Sequence, residues 1–134
     1  MRRFMLIDDD EIFNFLNQRI LELSGTAGRI QIFTAARKAL AWLQENPAGS
    51  AEAWPEIILL DIRMPGMDGF EFLEQFAQLP ADQLRGVKVF MLTSSIDERD
   101  KSKSLNYPFV YGYYSKPMSP EVLREMDALP LKKW

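Results

Sequence analysis

The sequence predicts an α/β fold: a doubly wound parallel sheet of five strands joined by five helices. Two observations lead to this prediction. Short apolar runs at residues 4–7 and 57–60 have the make-up of strands buried on both faces, and each run ends in aspartate. Apolar runs of this kind alternate with helical stretches along the 134 residues, a length typical of one domain.

The first unit pairs a strand at residues 4–8 with a helix at residues 10–23. Ser24 and Gly25 end this helix, because glycine readily adopts the backbone conformation that stops one. Its predicted inward face consists of the apolar residues that recur at helical spacing: Ile12, Leu16, Ile20 and Leu23.

The second unit begins with a strand at residues 29–33. In the helix that follows, the apolar spacing predicts a buried face of Ala36, Leu40 and Leu43. Residues 46–54 contain proline, glycine, serine and alanine, and we predict that they form a loop.

The third unit has a strand at residues 57–61, a turn at residues 64–69 and a helix at residues 70–79. Glycine and proline in the turn segment favour a change of chain direction directly after the strand. The predicted inward face of the helix carries Phe70, Leu73 and Ala77.

The last two units are a strand at residues 87–92 with a very polar helix at 97–105, and a strand at 110–115 with a C-terminal helix. A capping hydroxyl at Ser119, a proline in the first turn and an acid at the positive end favour that last helix. Its inward face is predicted to consist of Val122, Met126 and Leu129.

The predicted strand order is 2-1-3-4-5, the flavodoxin-like arrangement. The first and third strands are then neighbours, so Asp8, Asp9 and Asp61 share one edge of the sheet. The fourth and fifth strands bring Thr93 and Lys116 to the same edge. Ligands of such sheets bind beyond the carboxyl ends of the strands, and clustered carboxylates repel one another unless a cation or protons intervene. The edge is therefore a candidate site for metal and phosphate.

The composition excludes several classes of site. The chain has no cysteine and no histidine, which rules out disulfides, thiolate nucleophiles, a Ser-His triad, the usual zinc sites and a phosphohistidine on this chain. The net charge of −3 argues against a nucleic-acid partner. No apolar stretch approaches the roughly 20 residues of a membrane span, and the N-terminus does not resemble a signal peptide. These features predict a soluble cytoplasmic protein.

The remaining residue types suit phosphoryl chemistry. Two or three carboxylates form a hard oxygen site for Mg²⁺, and a carboxylate can attack phosphorus to give an acyl phosphate. A phosphoryl group in transfer also needs a lysine and hydrogen-bond donors near its oxygens. We expect Asp61 to be the nucleophile, and Asp9, with Asp8 acting through water, to hold the metal. Lys116 and the Thr93 hydroxyl would contact the phosphoryl oxygens.

The segments at the strand ends resemble the signature blocks of a response-regulator receiver domain of two-component signalling, the CheY-like family. Each block follows a predicted strand, the order is that of the family, and the resemblance covers essentially the whole chain. The blocks are Ile7-Asp8-Asp9-Asp10, Leu60-Asp61-Ile62-Arg63-Met64-Pro65-Gly66-Met67-Asp68-Gly69, Leu92-Thr93-Ser94 and Tyr113-Tyr114-Ser115-Lys116-Pro117.

The resemblance implies a role for each matching residue. Asp61 matches the phosphoacceptor, and Asp8 and Asp9 match the acidic pair that binds Mg²⁺. Arg63 matches the position whose backbone carbonyl is a metal ligand, so the implied metal set is Asp8, Asp9, Asp61 and Arg63. We expect Asp10 to act only in the first turn of its helix.

Three further matches concern the switch. Thr93 matches the hydroxyl that moves toward the phosphoryl group, and Lys116 matches the lysine that pairs with that group. Tyr113 matches the aromatic residue whose inward position accompanies activation. The peptide between Lys116 and Pro117 matches one that is cis in this family.

The resemblance implies a single-domain response regulator, with the receiver domain at residues 1–129 and a short tail at 130–134. A sensor histidine kinase or a histidine phosphotransfer protein would donate the phosphoryl group to Asp61 in the presence of Mg²⁺. The output would be altered binding to a downstream protein whose identity the sequence does not give, with self-catalysed phosphorylation and dephosphorylation rather than turnover of a separate substrate.

Two other hypotheses about the function stay open. A phosphatase of the haloacid dehalogenase type also uses an aspartyl nucleophile and Mg²⁺, but it needs an aspartate where this chain has Arg63. A docking module that is not phosphorylated is the third reading. The chain also departs from the family at residues 106–109, where a Gly-Ala pair is common, and the geometry of residues 96–108 is left open.

Overall fold

The computed structural model describes residues 1–46 and 54–132. Five parallel strands form one sheet in the order β2-β1-β3-β4-β5, which confirms the predicted order. The strands are β1 (Arg2–Ile7), β2 (Ala27–Phe33), β3 (Ile57–Leu60), β4 (Lys88–Thr93) and β5 (Val110–Ser115). The predicted loop at residues 46–54 lies outside the described residues, apart from its two ends.

Helices cover both faces of the sheet. They are α1 (Glu11–Ser24), α2 (Ala36–Glu45), α3 (Gly69–Phe76), α4 (Ala81–Leu84), α5 (Glu98–Leu105) and α6 (Pro120–Ala128). Five of these correspond to the predicted helices. The four-residue α4, which follows Pro80, is an additional turn that the apolar pattern did not predict. Among the described residues, no helix is both long and apolar enough to cross a membrane.

The two central strands, β1 and β3, are buried on both faces, as their continuous apolar runs predicted. Alternate side chains enter two apolar clusters, one beneath α2 and α3 and one beneath α1 and α6. Ile7 pairs with Leu60, and the backbone N–H of Asp61 donates to the carbonyl of Ile7 at 3.0 Å. This register brings Asp8 and Asp61 out of the sheet side by side.

The predicted inward face of α1 is wrong at three of its four residues, whereas Ile20 is half-buried and packs against the apolar cluster beneath α1 and α6, as predicted. Ile12 is 71% exposed and Leu23 is 77% exposed, and Leu16 is also classed as exposed. The buried residues of the helix are instead Asn14, Asn17 and Leu21. The side-chain amide of Asn14 donates to the carbonyl of Asp8 at 2.8 Å and thereby turns the polar face toward the sheet. Apolar spacing identifies a stripe on a helix, but it does not say which stripe contacts the sheet.

In two other helices the predicted inward residues contact the core, except Ala77, and further residues are buried beside them. In α3 the buried residues are Phe72, Leu73 and Phe76, whereas Phe70 is half-buried and Ala77 is exposed. In α6 Leu123 and Met126 are buried, and Val122 and Leu129 are half-buried. The predicted face of α2 is confirmed, with Ala36, Leu40 and Leu43 all buried.

Residues 106–109 form an aromatic link between α5, α3 and β5. The Phe109 ring packs edge-to-face on Phe76 at 5.0 Å between centroids, and the Tyr107 ring lies 5.5 Å from Phe109. The Tyr107 hydroxyl donates to the Glu74 carboxylate at 2.7 Å. Burial, this hydrogen bond and the charge of Glu74 raise the pKa of Tyr107 to about 12. Aromatic packing therefore attaches the C-terminal end of α5 to α3 where the family commonly has small residues.

Candidate functional site

Three carboxylates meet at the carboxyl ends of β1 and β3. Asp8, Asp9 and Asp61 each contribute one oxygen to a group in which all the oxygens lie within 4.8 Å of one another. Asp8 and Asp61 are each 5% exposed, whereas Asp9 is exposed to solvent. Hard oxygen donors with one side open to water fit Mg²⁺, which keeps several of its waters when a protein binds it.

Lys116 enters this group from the end of β5. Its Nζ atom lies 2.6 Å from Oδ2 of Asp8 and 3.3 Å from Oδ2 of Asp61, and its side chain is only 6% exposed. The backbone N–H of Lys116 donates to the carbonyl of Thr93 at 3.0 Å, and the peptide between Lys116 and Pro117 is cis, as predicted. The structure thus brings together the acidic residues and the lysine that the sequence placed at one edge.

Two residues that sequence reasoning missed support this group from α1. The ring of Phe13 lies under the ammonium of Lys116, with 4.5 Å between Nζ and the ring centroid, a distance at which a cation and an aromatic face attract. Asn14 holds the backbone of Asp8 through its side-chain amide. Both follow Asp10 within the first turns of α1, so their closeness in sequence to Asp8 and Asp9 could have identified them as residues of the site.

Burial and charge set the protonation of the central pair. Burial raises the pKa of Asp8 above its ordinary value of 3.8, and the charge of Asp61 adds to this, while hydrogen bonds from Lys116 and the Asp10 N–H oppose it. For Lys116, burial lowers the pKa, but the Asp8 hydrogen bond and the two carboxylate charges outweigh burial and raise it above its ordinary value. The lysine therefore stays charged.

The raised pKa of Asp8 makes a prediction about stability. A carboxyl whose pKa is higher in the folded state stabilises that state while it is protonated. Its contribution to the unfolding free energy is full below the ordinary pKa of 3.8 and is lost as the pH rises through the folded pKa. We expect the unfolding free energy of Asp8→Asn, which cannot ionise, to rise relative to that of the wild type as the pH rises from about 4 through the folded pKa of Asp8. Urea denaturation at a series of pH values, with a chelator present, measures this difference.

The control for that experiment is Asp82→Asn, because the side chain of Asp82 is 93% exposed and lies away from the acidic group. Its unfolding free energy should follow the wild-type curve. A constant difference between Asp8→Asn and the wild type across the whole pH range would contradict the expected effect.

The end of β4 carries the predicted switch hydroxyl. Thr93 is fully buried, and its Oγ1 accepts a hydrogen bond from the N–H of Ser95 at 3.2 Å. Tyr113 is half-buried against the core, and its hydroxyl donates to the carbonyl of Ser95 at 2.9 Å. Ser95 therefore stands between the two residues and contacts both.

A polar network extends from Ser95 to the surface. The Ser95 hydroxyl donates to Asp100 at 2.7 Å, and the guanidinium of Arg63 also contacts Asp100, at 3.2 Å. The side chain of Asp100 is 14% exposed, although the polar make-up of α5 suggested a solvated face. The side chain of Arg63 is 70% exposed and carries a positive charge, so it does not supply the acid that a haloacid dehalogenase phosphatase needs at this position. The use of the Arg63 backbone carbonyl as a metal ligand stays a prediction.

Two other aspartates near the site are helix caps. The Asp10 carboxylate accepts hydrogen bonds from the N–H groups of Ile12 and Phe13, which confirms that it acts in the first turn of α1. Asp68 and Glu71 form a reciprocal capping box at the start of α3.

Comparisons with known proteins give a consistent result. The family model of the response regulator receiver domain matches residues 4–127. A crystal structure of a two-component response regulator from Cytophaga hutchinsonii is similar, with 36% identity, a TM-score of 0.84, and coverage of 93% of this chain and 92% of that one. The Mn²⁺-bound form of response regulator Rcp1 is also similar, with 26% identity, a TM-score of 0.76, and coverage of 99% and 100%.

A curated relative gives the same picture in sequence. The probable methanogenesis regulatory protein FilR2 of Methanothrix harundinacea is 32% identical over 120 residues, which are 90% of this chain and 75% of that protein. Several other curated relatives are longer, and the match spans only 29% to 31% of their length.

Proposed function

Because this chain belongs to the response regulator receiver domain family, we propose that Asp61 accepts a phosphoryl group from a phosphohistidine donor and that the modified domain then binds another protein differently. One observation supports this most strongly. The ammonium of Lys116 contacts the buried carboxylates of Asp8 and Asp61 at the same time, at 2.6 Å and 3.3 Å. This arrangement supports Asp61 as the proposed nucleophile beside a carboxylate group that would hold a metal and a fixed cation, all at one edge of the sheet.

The transfer step uses these groups directly. An oxygen of Asp61 attacks phosphorus, the phosphorus–nitrogen bond of the donor breaks, and the imidazole nitrogen keeps the electron pair and takes up a proton. Lys116 stabilises the negative charge on the phosphoryl oxygens. Asp8 and Asp9, with Asp61 and the Arg63 carbonyl, would hold Mg²⁺, which when bound neutralises charge on the same oxygens. Water later attacks phosphorus, releases phosphate and restores the carboxylate.

The hydrogen bonds around Ser95 suggest how the modification changes the surface. If the Thr93 hydroxyl turns toward the phosphoryl group, it gives up its contact with the Ser95 N–H. Ser95 also holds Tyr113 and Asp100, so its movement shifts both of these contacts. Phosphorylation would thereby bias a two-state surface formed by α5, β5 and α6. The downstream protein would recognise that surface.

A direct experiment tests the proposal. The wild-type protein is incubated with a small acyl-phosphate donor, with Mg²⁺ or with a chelator, and its intact mass is measured under conditions that preserve acyl phosphates. We expect a gain of one phosphoryl group that depends on Mg²⁺. No adduct in the presence of Mg²⁺ would reject the proposal and favour a docking module that is not phosphorylated. Steady turnover of a phosphomonoester would favour the phosphatase.

The outward stripe of α1 supports a docking surface for the phosphohistidine donor. Ile12, Phe15 and Leu16 are 71%, 61% and 42% exposed, and their spacing places them on one side of the helix. This stripe begins next to Asp9, at the open side of the acidic group. A donor domain that carries its phosphohistidine on a helix would cover this stripe and bring the phosphorylated side chain to Asp61.

The docking surface gives a prediction. We expect Phe15→Lys to lower the rate of phosphoryl transfer from a histidine kinase or phosphotransfer domain by about tenfold or more, a loss of at least ~1.4 kcal/mol. Phosphorylation by the small acyl-phosphate donor should not change, because that donor needs no docking surface. Time courses of phosphorylation with each donor measure the two rates.

The matched control is Leu23→Lys. Leu23 is 77% exposed on the same helix, but it lies about 12 Å further along the axis from the site than Phe15 does. Transfer at the wild-type rate is expected for this variant. Equal losses for both variants, or a loss for Phe15→Lys with the small donor, would contradict the docking surface.

Two expectations about the wider protein stay predictions. They are a receiver domain at residues 1–129 with a tail at 130–134, and a cytoplasmic location with no nucleic-acid partner.

A further inference from the structure

A small cavity lies directly beneath the acidic group, between α1 and the carboxyl ends of the central strands. Its volume is about 10 Å³. Four of its lining residues are polar, Asp8, Asn14, Asn17 and Asp61, and the other four are apolar side chains of the sheet. This volume is close to the ~10–15 Å³ that one water molecule requires.

Two amide oxygens at this cavity have no protein partner. Asn14 and Asn17 are each 3% exposed, and within residues 1–46 and 54–132 the Oδ1 atom of each is buried without a hydrogen bond. The orientation of Asn14 is fixed, because its Nδ2 donates to the carbonyl of Asp8 at 2.8 Å. Burying a polar atom without a hydrogen bond is costly, so such atoms are usually satisfied by protein or by water.

Asn14 and Asn17 line this cavity together. Asn14 and Asn17 are three residues apart on α1, and side chains at this spacing are neighbours on a helix surface. Both side chains offer an acceptor, and the other polar residues at the cavity are carboxylates, which accept hydrogen bonds when ionised. The guest must therefore be a donor of two hydrogen bonds and must be as small as water.

We propose that this cavity binds one water molecule, which donates one hydrogen bond to Oδ1 of Asn14 and the other to Oδ1 of Asn17. A bare cation is the less suitable guest, because Lys116 already supplies a positive charge to both nearby carboxylates and half of the lining residues are apolar. The water lies beneath the carboxylates of Asp8 and Asp61. Through Asn14 it stabilises the backbone of Asp8 in place.

Although Asp8 and Asp61 line the cavity, the presence of the water can be tested separately from the proposed phosphoryl chemistry. Neither oxygen contacts the metal group directly in the geometry described, and the water needs neither Mg²⁺ nor an acyl phosphate. Loss of phosphoryl transfer would therefore leave the water in place, and absence of the water would leave the transfer proposal standing.

Nuclear magnetic resonance of the wild-type protein tests the site. We expect a cross-peak between a long-lived water and the side-chain amide protons of Asn14, recorded without divalent cations. Asn17→Leu removes one acceptor and fills the space, so the cross-peak should be lost. Asn106→Leu, at an exposed asparagine remote from the cavity, should keep it. No cross-peak in the wild type, or one that survives in Asn17→Leu, would overturn the proposal.

A crystal structure at high resolution gives a second measurement that does not depend on any variant. We expect one density peak within about 3 Å of both amide oxygens. Crystals grown with rubidium in place of sodium distinguish the guest, because rubidium scatters anomalously. An anomalous peak in the cavity would show a cation and overturn the assignment to water.

Discussion

Asp61→Asn is expected to gain no phosphoryl group where the wild type gains one from a small acyl-phosphate donor and Mg²⁺. The amide lacks the nucleophilic oxygen pair of a carboxylate, so the loss should be complete rather than partial. Asparagine has nearly the same size, and its carbonyl oxygen can still accept the N–H of Ile62, which Asp61 binds at 2.8 Å. The fold should therefore persist, and intact mass together with reductive trapping of the acyl phosphate measures the result.

The matched control is Asp10→Asn. Asp10 lies in the same acidic segment, but it caps α1, and asparagine caps helices about as well as aspartate does. This variant should acquire the phosphoryl group like the wild type. An adduct of equal yield on Asp61→Asn would assign the acceptor to another side chain and remove the central claim of the proposed function.

Lys116→Ala is expected to take up some phosphoryl group but to lose the conformational response. Asp61 and the metal site remain, so the nucleophile can still react. The ammonium that pairs with the phosphoryl oxygens is gone, so the modified state no longer favours the rearrangement around Thr93. The amide chemical shifts of Ser95 and Tyr113, before and after phosphorylation, report this response because both residues take part in the hydrogen bond between them.

The same variant should also be less stable without metal. The Lys116 and Asp8 side chains are only 6% and 7% exposed, and removing one partner of such a buried pair costs about 3–5 kcal/mol. Lys38→Ala, at an exposed position on α2, is the control and should match the wild type in stability and in response. Phosphorylation-dependent shifts of wild-type size in Lys116→Ala would contradict the role given to the lysine.

The sheet and the positions of the acidic residues followed from the sequence because few arrangements satisfy them. Residues 4–7 of β1 and all of β3 are apolar, which favours positions inside the sheet, and the aspartates that follow these two neighbouring strands meet at one edge. Lys116 and Thr93 were placed by the same reasoning from β4 and β5. Strand order and edge positions depend on patterns that each strand carries by itself.

The packing of α1 and the polar contacts around the site could not be obtained in this way. The outward apolar stripe of Ile12, Phe15 and Leu16 has the spacing of a core face, and only the bond from Asn14 to Asp8 shows that the helix is turned the other way. Likewise, the link between Arg63 and Asp100 joins the loop after β3 to α5, across 37 residues of sequence. Contacts between side chains of distant segments leave no periodic signal in the sequence.

The hydrogen bond from the Lys116 N–H to the Thr93 carbonyl restricts which motions are available to the domain. It ties the ends of β4 and β5 to each other, and the Tyr113 backbone belongs to the same ladder through its pairing with Met91. Under the proposed function, the Thr93 hydroxyl, the Lys116 ammonium and the Tyr113 phenol are therefore attached to backbone that is held together as one unit. Activation is then expected to begin with side-chain torsions at the ends of β4 and β5, and the loop that follows Thr93 would carry the displacement outward to α5.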